Sequence, residues 1–377
     1  MRVLLVEPWL TGSHQSWAEG YAARSAHDVD VVAHEGAYWR WRLRGGAVTL
    51  AEEAARVVAA PGPPDVVRAS SMLDLPAFCG HARLVVGDVP VALYLHETQP
   101  ARSALTGEAL DDDMAYRNWT SMVAADHVFA NSAFHRDALF GALPELLARP
   151  PDHRHDHLLD DVRSRTSLLP VGVDVASVHT ARPADDGAPI VLWSHRWDHD
   201  KAPELFFRAL RRLDHEGVEF RVALAGANAR VDPREFVEAE ERFGSRLVQA
   251  GHLPRDDYVG LLTRSSVVVS TAVHEFFGVA MVEAMAAGVV PLLPRALSYP
   301  EIVPAAFHDA VLYDAYGDMV RRLRDVLIDL AGARREVEGL ADAMDRFDWA
   351  TLAPAYDAAL EAVATGKAPD DVPLAVP

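Results

Sequence analysis

One cysteine, Cys79, is present in 377 residues. An internal disulfide is therefore excluded, and a zinc site built on thiolates is not expected. Cys79 reads as a small core residue. Lysine is nearly as scarce, occurring only at Lys201 and Lys367, so arginine carries the positive charge and a lysine inside a polar turn stands out. The formal net charge is −19, and the first 180 residues hold 15 Arg and no Lys against 23 Asp plus Glu. That balance excludes a surface-wide grip on nucleic-acid phosphates and leaves room only for a local basic patch. No apolar run approaches the roughly 18 residues of a membrane span. The start, Met1-Arg2-Val3-Leu4-Leu5-Val6, enters a strand-like run without the charged head and cleavage site of a signal peptide. A soluble, cytoplasmic protein with no membrane partner is expected.

The chain is long enough for two cores. Strand-like runs at Val3 to Val6, Val29 to Val32, Asp65 to Arg68, Val91 to Leu95 and Val128 to Ala130 alternate with helical stretches, the rhythm of a parallel sheet. A second series runs through Ile190 to Trp193, Phe220 to Leu224, Leu247 to Gln249, Val267 to Ser270 and Val289 to Leu293. The expected fold class is α/β, with two Rossmann-like lobes facing across a cleft. Their expected extents are 1–180 and 189–345, joined by a linker at Ala181 to Ala188. Residues 346–377 are expected to form a terminal helix, Trp349 to Ala364, and a frayed Pro- and Asp-rich tail. The stretch Asp152 to Asp161 reads as a loop. Its His153, His155 and His157 read as solvated side chains, so no metal site is expected from spacing.

In such lobes the ligand-binding loops sit at the carboxyl ends of the strands. Two of these loops carry charge where charge is informative. After Val191-Leu192-Trp193 comes Ser194-His195-Arg196-Trp197-Asp198-His199-Asp200-Lys201, then a helix entry at Pro203. An Arg fork and a Lys point charge would neutralise a diphosphate leaving group without a metal. The plainer alternative is a pair of surface cations at a helix start. The second loop, His274-Glu275-Phe276-Phe277-Gly278-Val279, leads into an Ala-rich helix bearing Glu283. A carboxylate on that apolar face needs hydroxyls or a cation, and either a nucleotide ribose or an arginine would serve.

Glu275 and Glu283, with seven residues between them and Arg196 and Lys201 upstream, resemble the donor-binding signature of retaining glycosyltransferases of family 4. The resemblance implies a GT-B fold. It also implies that Glu275 contacts sugar hydroxyls, Glu283 the ribose, and Arg196 with Lys201 the diphosphate. Backbone N–H groups at Phe277, Gly278 and Val279 would meet the phosphates. The loop Gly251-His252-Leu253 would read the nucleobase.

In the first lobe, Glu7-Pro8-Trp9-Leu10-Thr11-Gly12-Ser13-His14-Gln15-Ser16-Trp17 follows the first strand. Gly12 and Ser13 open a helix whose N-terminus would approach the donor. Leu93-Tyr94-Leu95-His96-Glu97-Thr98-Gln99 ends another strand on a polar run. Together with Ser70-Ser71-Met72-Leu73-Asp74-Leu75, Asn131-Ser132 and Leu297-Ser298-Tyr299-Pro300-Glu301, these segments are similar to the tRNA-queuosine α-mannosyltransferase family. That resemblance implies retaining transfer of mannose from GDP-mannose to the cyclopentene-diol of queuosine in the anticodon of tRNA-Asp. It makes His96 a catalytic residue that positions the acceptor or supports positive charge, and His14, Ser71 and Glu97 acceptor-side residues. No cofactor is expected beyond the nucleotide-sugar donor.

Tyr38-Trp39-Arg40-Trp41-Arg42-Leu43-Arg44 interleaves aromatics with arginines, a composition suited to stacking on unpaired bases. Trp39, Arg40, Arg42 and Arg44 are accordingly acceptor candidates. A loop or short helix with tryptophans as core anchors, or a strand, fits the same residues. Two other functions remain open at this point: a family 4-type transferase with a small-molecule or lipid acceptor, and a non-catalytic RNA-binding protein on the same scaffold.

Overall fold

Strands as uniformly apolar as Val3–Val6 must be covered on both faces, which parallel α/β packing provides. The computed structural model describes residues 1–179, 187–226 and 234–374. They form two compact units, Met1–Val173 with Trp349–Leu374, and Asp174–Asp348. Among the described residues no helix is long and apolar enough to cross a membrane.

The first unit holds β1 (Arg2–Leu10), β2 (Asp28–Glu35), β3 (Val66–Ser70), β4 (Val91–Leu95), β5 (His127–Ala130) and β6 (Thr166–Leu168). They pair in the order β2-β1-β3-β4-β5-β6, all parallel. The second unit holds β7 (Ile190–Ser194), β8 (Arg221–Ala225), β9 (Leu247–Gly251), β10 (Val267–Val269), β11 (Val290–Pro294) and β12 (Leu312–Tyr313), ordered β12-β11-β10-β7-β8-β9 and again parallel. Each sheet carries one short edge strand, β6 or β12, beyond the five expected runs.

Both orders reverse direction once. The chain leaves β1 toward β2 and returns to β3 on the other side of β1; likewise it leaves β7 through β8 and β9 and returns to β10 on β7's other side. At such a switch point the flanking helices diverge and open a crevice outside the carboxyl ends of the two strands. The crevices lie at β1/β3 and β7/β10.

The terminal helix spans Trp349–Ala364 as expected from its pattern, but it is no separate segment. Trp349 lies against Gly20 and Gly172, where a Cβ would come within 2.2 and 2.4 Å of the indole. Tyr356 Oη donates to the Pro170 carbonyl at 2.6 Å, and Asp357 accepts from the Tyr21 hydroxyl at 2.9 Å and the Ala26 N–H at 2.8 Å. The tail does not fray through Leu374. Edge strand β6 has unpaired backbone groups, and Leu168 uses them to bond the Asp371 carboxylate at 2.7 Å and the Val372 N–H at 2.9 Å.

Two other expectations change. The stretch expected as a loop contains a helical turn at Asp156–Leu158 and a helix at Leu159–Ser164, with His155 accepting from Trp119 Nε1 at 3.3 Å. The expected linker lies outside the described residues except for Gly187 and Ala188.

Candidate functional site

At the first switch point, Glu7 stands toward the carboxyl end of β1 and β3 ends on Ser70. The chain turns out of β1 through Gly12, whose φ of 53° suits glycine, into α1 (Gly12–Ala22). No side chain caps this helix, so Gly12 and Ser13, both exposed, present its N-terminal amides. Glu7 is fully buried. Its Oε1 accepts from the Trp9 N–H at 2.8 Å and from the Ser70 hydroxyl at 3.0 Å. Its Oε2 lies 3.0 Å from His14 Nδ1 and 3.9 Å from His96 Nε2.

His96 follows β4 and is buried. Its ring lies 4.0 Å from that of His14, 4.6 Å from Trp17 and 4.8 Å from Tyr94. Asn131 Nδ2 donates to its carbonyl at 3.0 Å, and its own N–H donates to Ser71 Oγ at 3.2 Å. Burial first, then the neighbouring His14, Arg68 and His135, push its pKa well below the ordinary histidine value. It is a neutral imidazole. Arg68, behind it, is also fully buried. Its guanidinium rests over the rings of Trp17 at 4.1 Å and Tyr356 at 4.3 Å, with Tyr21 and Tyr94 at 5.0 Å, so π faces take the place of a carboxylate.

Ser71 is buried, and its hydroxyl also donates to the Glu97 carbonyl at 2.9 Å. It shapes the loop on either side of His96. The Glu97 carboxylate lies 3.3 Å from Arg102. The Tyr38–Arg44 stretch is the start of α2 (Trp39–Val58), which removes the loop and strand alternatives. Leu43, Gly46, Ala47 and Leu50 face the core at helical spacing. Tyr38 is 80% and Trp41 62% exposed, so these two rings anchor nothing inside. Arg40 lies over the Trp39 ring at 5.1 Å, Arg42 donates to the Glu35 carbonyl at 3.3 Å, and Arg44 pairs with Asp113 at 3.1 Å.

At the second switch point, the loop after β7 brings Lys201 onto the loop after β10. Trp193 Nε1 donates to Thr271 Oγ1 at 3.1 Å, and that hydroxyl donates to the Lys201 carbonyl at 2.7 Å. The Lys201 ammonium is buried. It donates to the His274 carbonyl at 2.6 Å and lies 3.2 Å from Asp200 and 3.4 Å from Glu275. Asp200 also meets His274 Nδ1 at 3.1 Å. Burial alone would raise the Glu275 carboxyl, but Lys201, with His195 and His274, holds it below its usual range. Glu275 is therefore ionised. His195 is driven down to about 3 by burial and then by Lys201. Arg196 is exposed and makes no ion pair with a described residue.

Gly278, with φ 100°, begins α3 (Val279–Ala286) without a side-chain cap; Ser298 Oγ holds the turn by donating to the Phe277 carbonyl at 2.9 Å. Phe277 is buried, edge-on to Phe347 at 5.4 Å. The helix N-terminus at Gly278 and Val279 thus offers amides for an anion. Glu283, buried on α3, pairs with Arg255, which also donates to Ser177 Oγ at 2.9 Å. Burial raises its pKa, and Arg255 opposes the rise. His252, exposed, and Leu253, half-buried, follow β9.

The fold thus gathers Arg196, Lys201, Glu275 and Gly278–Val279 around one switch point, and His14 and His96 at the other. Trp39, Arg40, Arg42 and Arg44 lie in the first turns of α2. Sequence reasoning had Glu7, Asp200 and His274 only as parts of motifs and missed Arg68 and Arg255 as site residues. Asp200 and His274 adjoin Lys201 and Glu275, which had been singled out, whereas Arg68 and Arg255 adjoin no such residue.

Residues 2–173 match the family model for the tRNA-queuosine alpha-mannosyltransferase N-terminal domain, and residues 176–337 match glycosyl transferases group 1. The tRNA-queuosine alpha-mannosyltransferase of Drosophila melanogaster is 31% identical over 312 residues, covering 80% of this chain and 81% of that one. Among solved structures, a sucrose-phosphate synthase from Thermosynechococcus elongatus superposes with a TM-score of 0.73 at 15% identity, covering 94% of this chain and 97% of its own. Anabaena HepE in complex with UDP and glucose superposes with a TM-score of 0.68 at 16% identity, covering 96% and 99%. At such identities the structural likeness carries the fold, GT-B with two Rossmann-like lobes.

Proposed function

Because this chain belongs to the tRNA-queuosine alpha-mannosyltransferase family and is a glycosyltransferase, we propose that it transfers mannose from GDP-mannose, with retention, onto queuosine in the anticodon loop of tRNA-Asp. The observation that carries this reading is the second-lobe switch point, where a buried lysine, an ionised glutamate and an exposed arginine meet an uncapped helix N-terminus. That arrangement suits a sugar diphosphate. Lys201 and Arg196 take up the charge that develops on the departing diphosphate, which needs no metal. Gly278 and Val279 contribute amides to the same phosphates, and Glu275 holds the sugar hydroxyls. Glu283 takes the ribose in exchange for part of its contact with Arg255, and the backbone at His252 and Leu253 meets the base. No side chain acts as a covalent nucleophile.

On the acceptor lobe, His96, held neutral, positions the hydroxyl to be glycosylated, with His14 and the Ser71–Glu97 loop around it. Gly12 and Ser13 offer amides to the donor. Tyr38 and Trp41 stack on unpaired bases while Arg40, Arg42 and Arg44 meet phosphates, a local patch on a lobe that is net negative. The protein acts in the cytoplasm.

The test has two stages. Melting shifts are measured with GDP, UDP and ADP, then with GDP-mannose and UDP-sugars; a shift for the guanosine ligands alone is expected. Queuosine-containing tRNA-Asp is then incubated with GDP-mannose and its nucleosides are weighed by mass spectrometry. Gain of one hexose on queuosine is expected. Donor hydrolysis without that gain would move the acceptor to a small molecule or lipid.

A further inference from the structure

We infer that Glu7, His14 and His96 form a binding site for one divalent transition-metal ion of the zinc type, ligated by Glu7 Oε2, His14 Nδ1 and His96 Nε2, with a fourth position open. The three ligand atoms lie within 4.8 Å of one another. A tetrahedral ion with bonds of about 2.0–2.1 Å sets its ligands roughly 3.3 Å apart. The separations of 3.0 Å from Glu7 to His14 and 3.9 Å from Glu7 to His96 lie on either side of that value, and the two histidine nitrogens, within 4.8 Å of each other, close on a shared ion by ring shifts of roughly 1–1.5 Å.

Two of the three ligands have a need that a cation meets. His96 Nε2 is buried with no hydrogen-bond partner and points toward Glu7 Oε2, and such an atom calls for a partner. Glu7 is a fully buried carboxyl group whose donors from Trp9 and Ser70 are both neutral and both on Oε1, so a cation at Oε2 would supply a charged partner. The His14 and His96 rings lie 4.0 Å apart, close enough for one metal ion to take both as neutral ligands. The surroundings already hold the ligands in place: Ser70 and Trp9 fix the other carboxylate oxygen, and Ser71 and Asn131 fix the His96 backbone. Two nitrogens and one oxygen favour zinc, cobalt, nickel or copper over magnesium and calcium. The inference does not depend on the identity of the donor or the acceptor, and no step of the transfer is routed through the ion.

The test uses the full chain, stripped with a chelator and titrated with Zn²⁺ by calorimetry and with Co²⁺ by its ligand-field absorption. Expected are one strong site and the intense absorption of low-coordinate cobalt, both weakened roughly tenfold or more in Glu7→Gln and in His14→Leu. Circular dichroism checks each fold; should Glu7→Gln not fold, His14→Leu, at a partly exposed position, decides. The triple change His153→Asn, His155→Asn and His157→Asn controls for the surface histidines and is expected to leave the site intact. Absence of a strong site, or binding that disappears with the triple change and survives Glu7→Gln and His14→Leu, overturns the inference.

Discussion

Arg196 and Lys201 have the same assignment but opposite surroundings, so replacing each by alanine separates chemistry from folding. Arg196 is exposed and makes no ion pair with a described residue, and surface changes of that kind stay within about 0.5 kcal/mol. Its loss should move the melting temperature by no more than about 2 °C. If its guanidinium stabilises the departing diphosphate, removing one preorganised electrostatic contact costs about 2.7–4 kcal/mol at the transition state, or roughly 10²–10³ in kcat. Lys201 is buried between Asp200 and Glu275. Its removal strands two carboxylates, and breaking a buried pair costs about 3–5 kcal/mol, roughly 6 to 20 °C for a lobe of this size, along with the activity. The assay pairs single-turnover kinetics under saturating donor with differential scanning calorimetry. Arg196→Ala losing stability in step with rate, or keeping both, would refute the clamp.

Glu283 should bind ribose as the carboxylate; because burial raises its pKa, the donor KM should climb as pH falls on the acid side of neutrality, and Glu283→Gln should remove that pH dependence in steady-state kinetics. His127 is held at about 4, below 6.5, by burial and then by Arg165. Its folded form thus favours the neutral ring: this contribution is present above pH 6.5 and is lost as pH falls toward 4, by up to about 3 kcal/mol. In urea melts over that range the wild type should lose up to about 3 kcal/mol relative to His127→Phe as pH falls. Gly172→Ala places a methyl 2.4 Å from the Trp349 indole and should lower first-lobe stability while GDP still shifts the second lobe's melting. Trp41→Ala should weaken tRNA binding by about 1–3 kcal/mol and leave GDP-mannose binding unchanged, as read by filter binding and calorimetry.

The ten main strands were legible because parallel sheets demand apolar runs that the eye can find. β6 and β12, of three and two residues, were not, since edge strands that short are defined by pairing. Lys201 stood out by rarity, but its burial was invisible: Asp200 and His274 enclose it only after β7 and β10 become neighbours. For Glu283 the sequence left ribose and arginine open. In the structure Glu283 pairs with Arg255, 28 residues upstream, at a distance no motif spacing encodes. Glu7, His14 and His96 illustrate the same limit, because β4 must be threaded beside β3 before His96 can approach Glu7. The aromatic start of α2 failed differently, as its alternation of Trp and Arg imitates a strand and only Leu43, Ala47 and Leu50, further on, reveal the helical period.

The terminal helix α4 (Trp349–Ala364) has a consequence for how the protein is made. Its Trp349, Tyr356 and Asp357 complete the core around Tyr21 and the Arg68 guanidinium, yet they are translated after the whole of the second unit. The core of the first lobe can therefore be completed only after residues 174–348 have been made. The first lobe is thus discontinuous in the chain, and its completion waits on a segment made after the second.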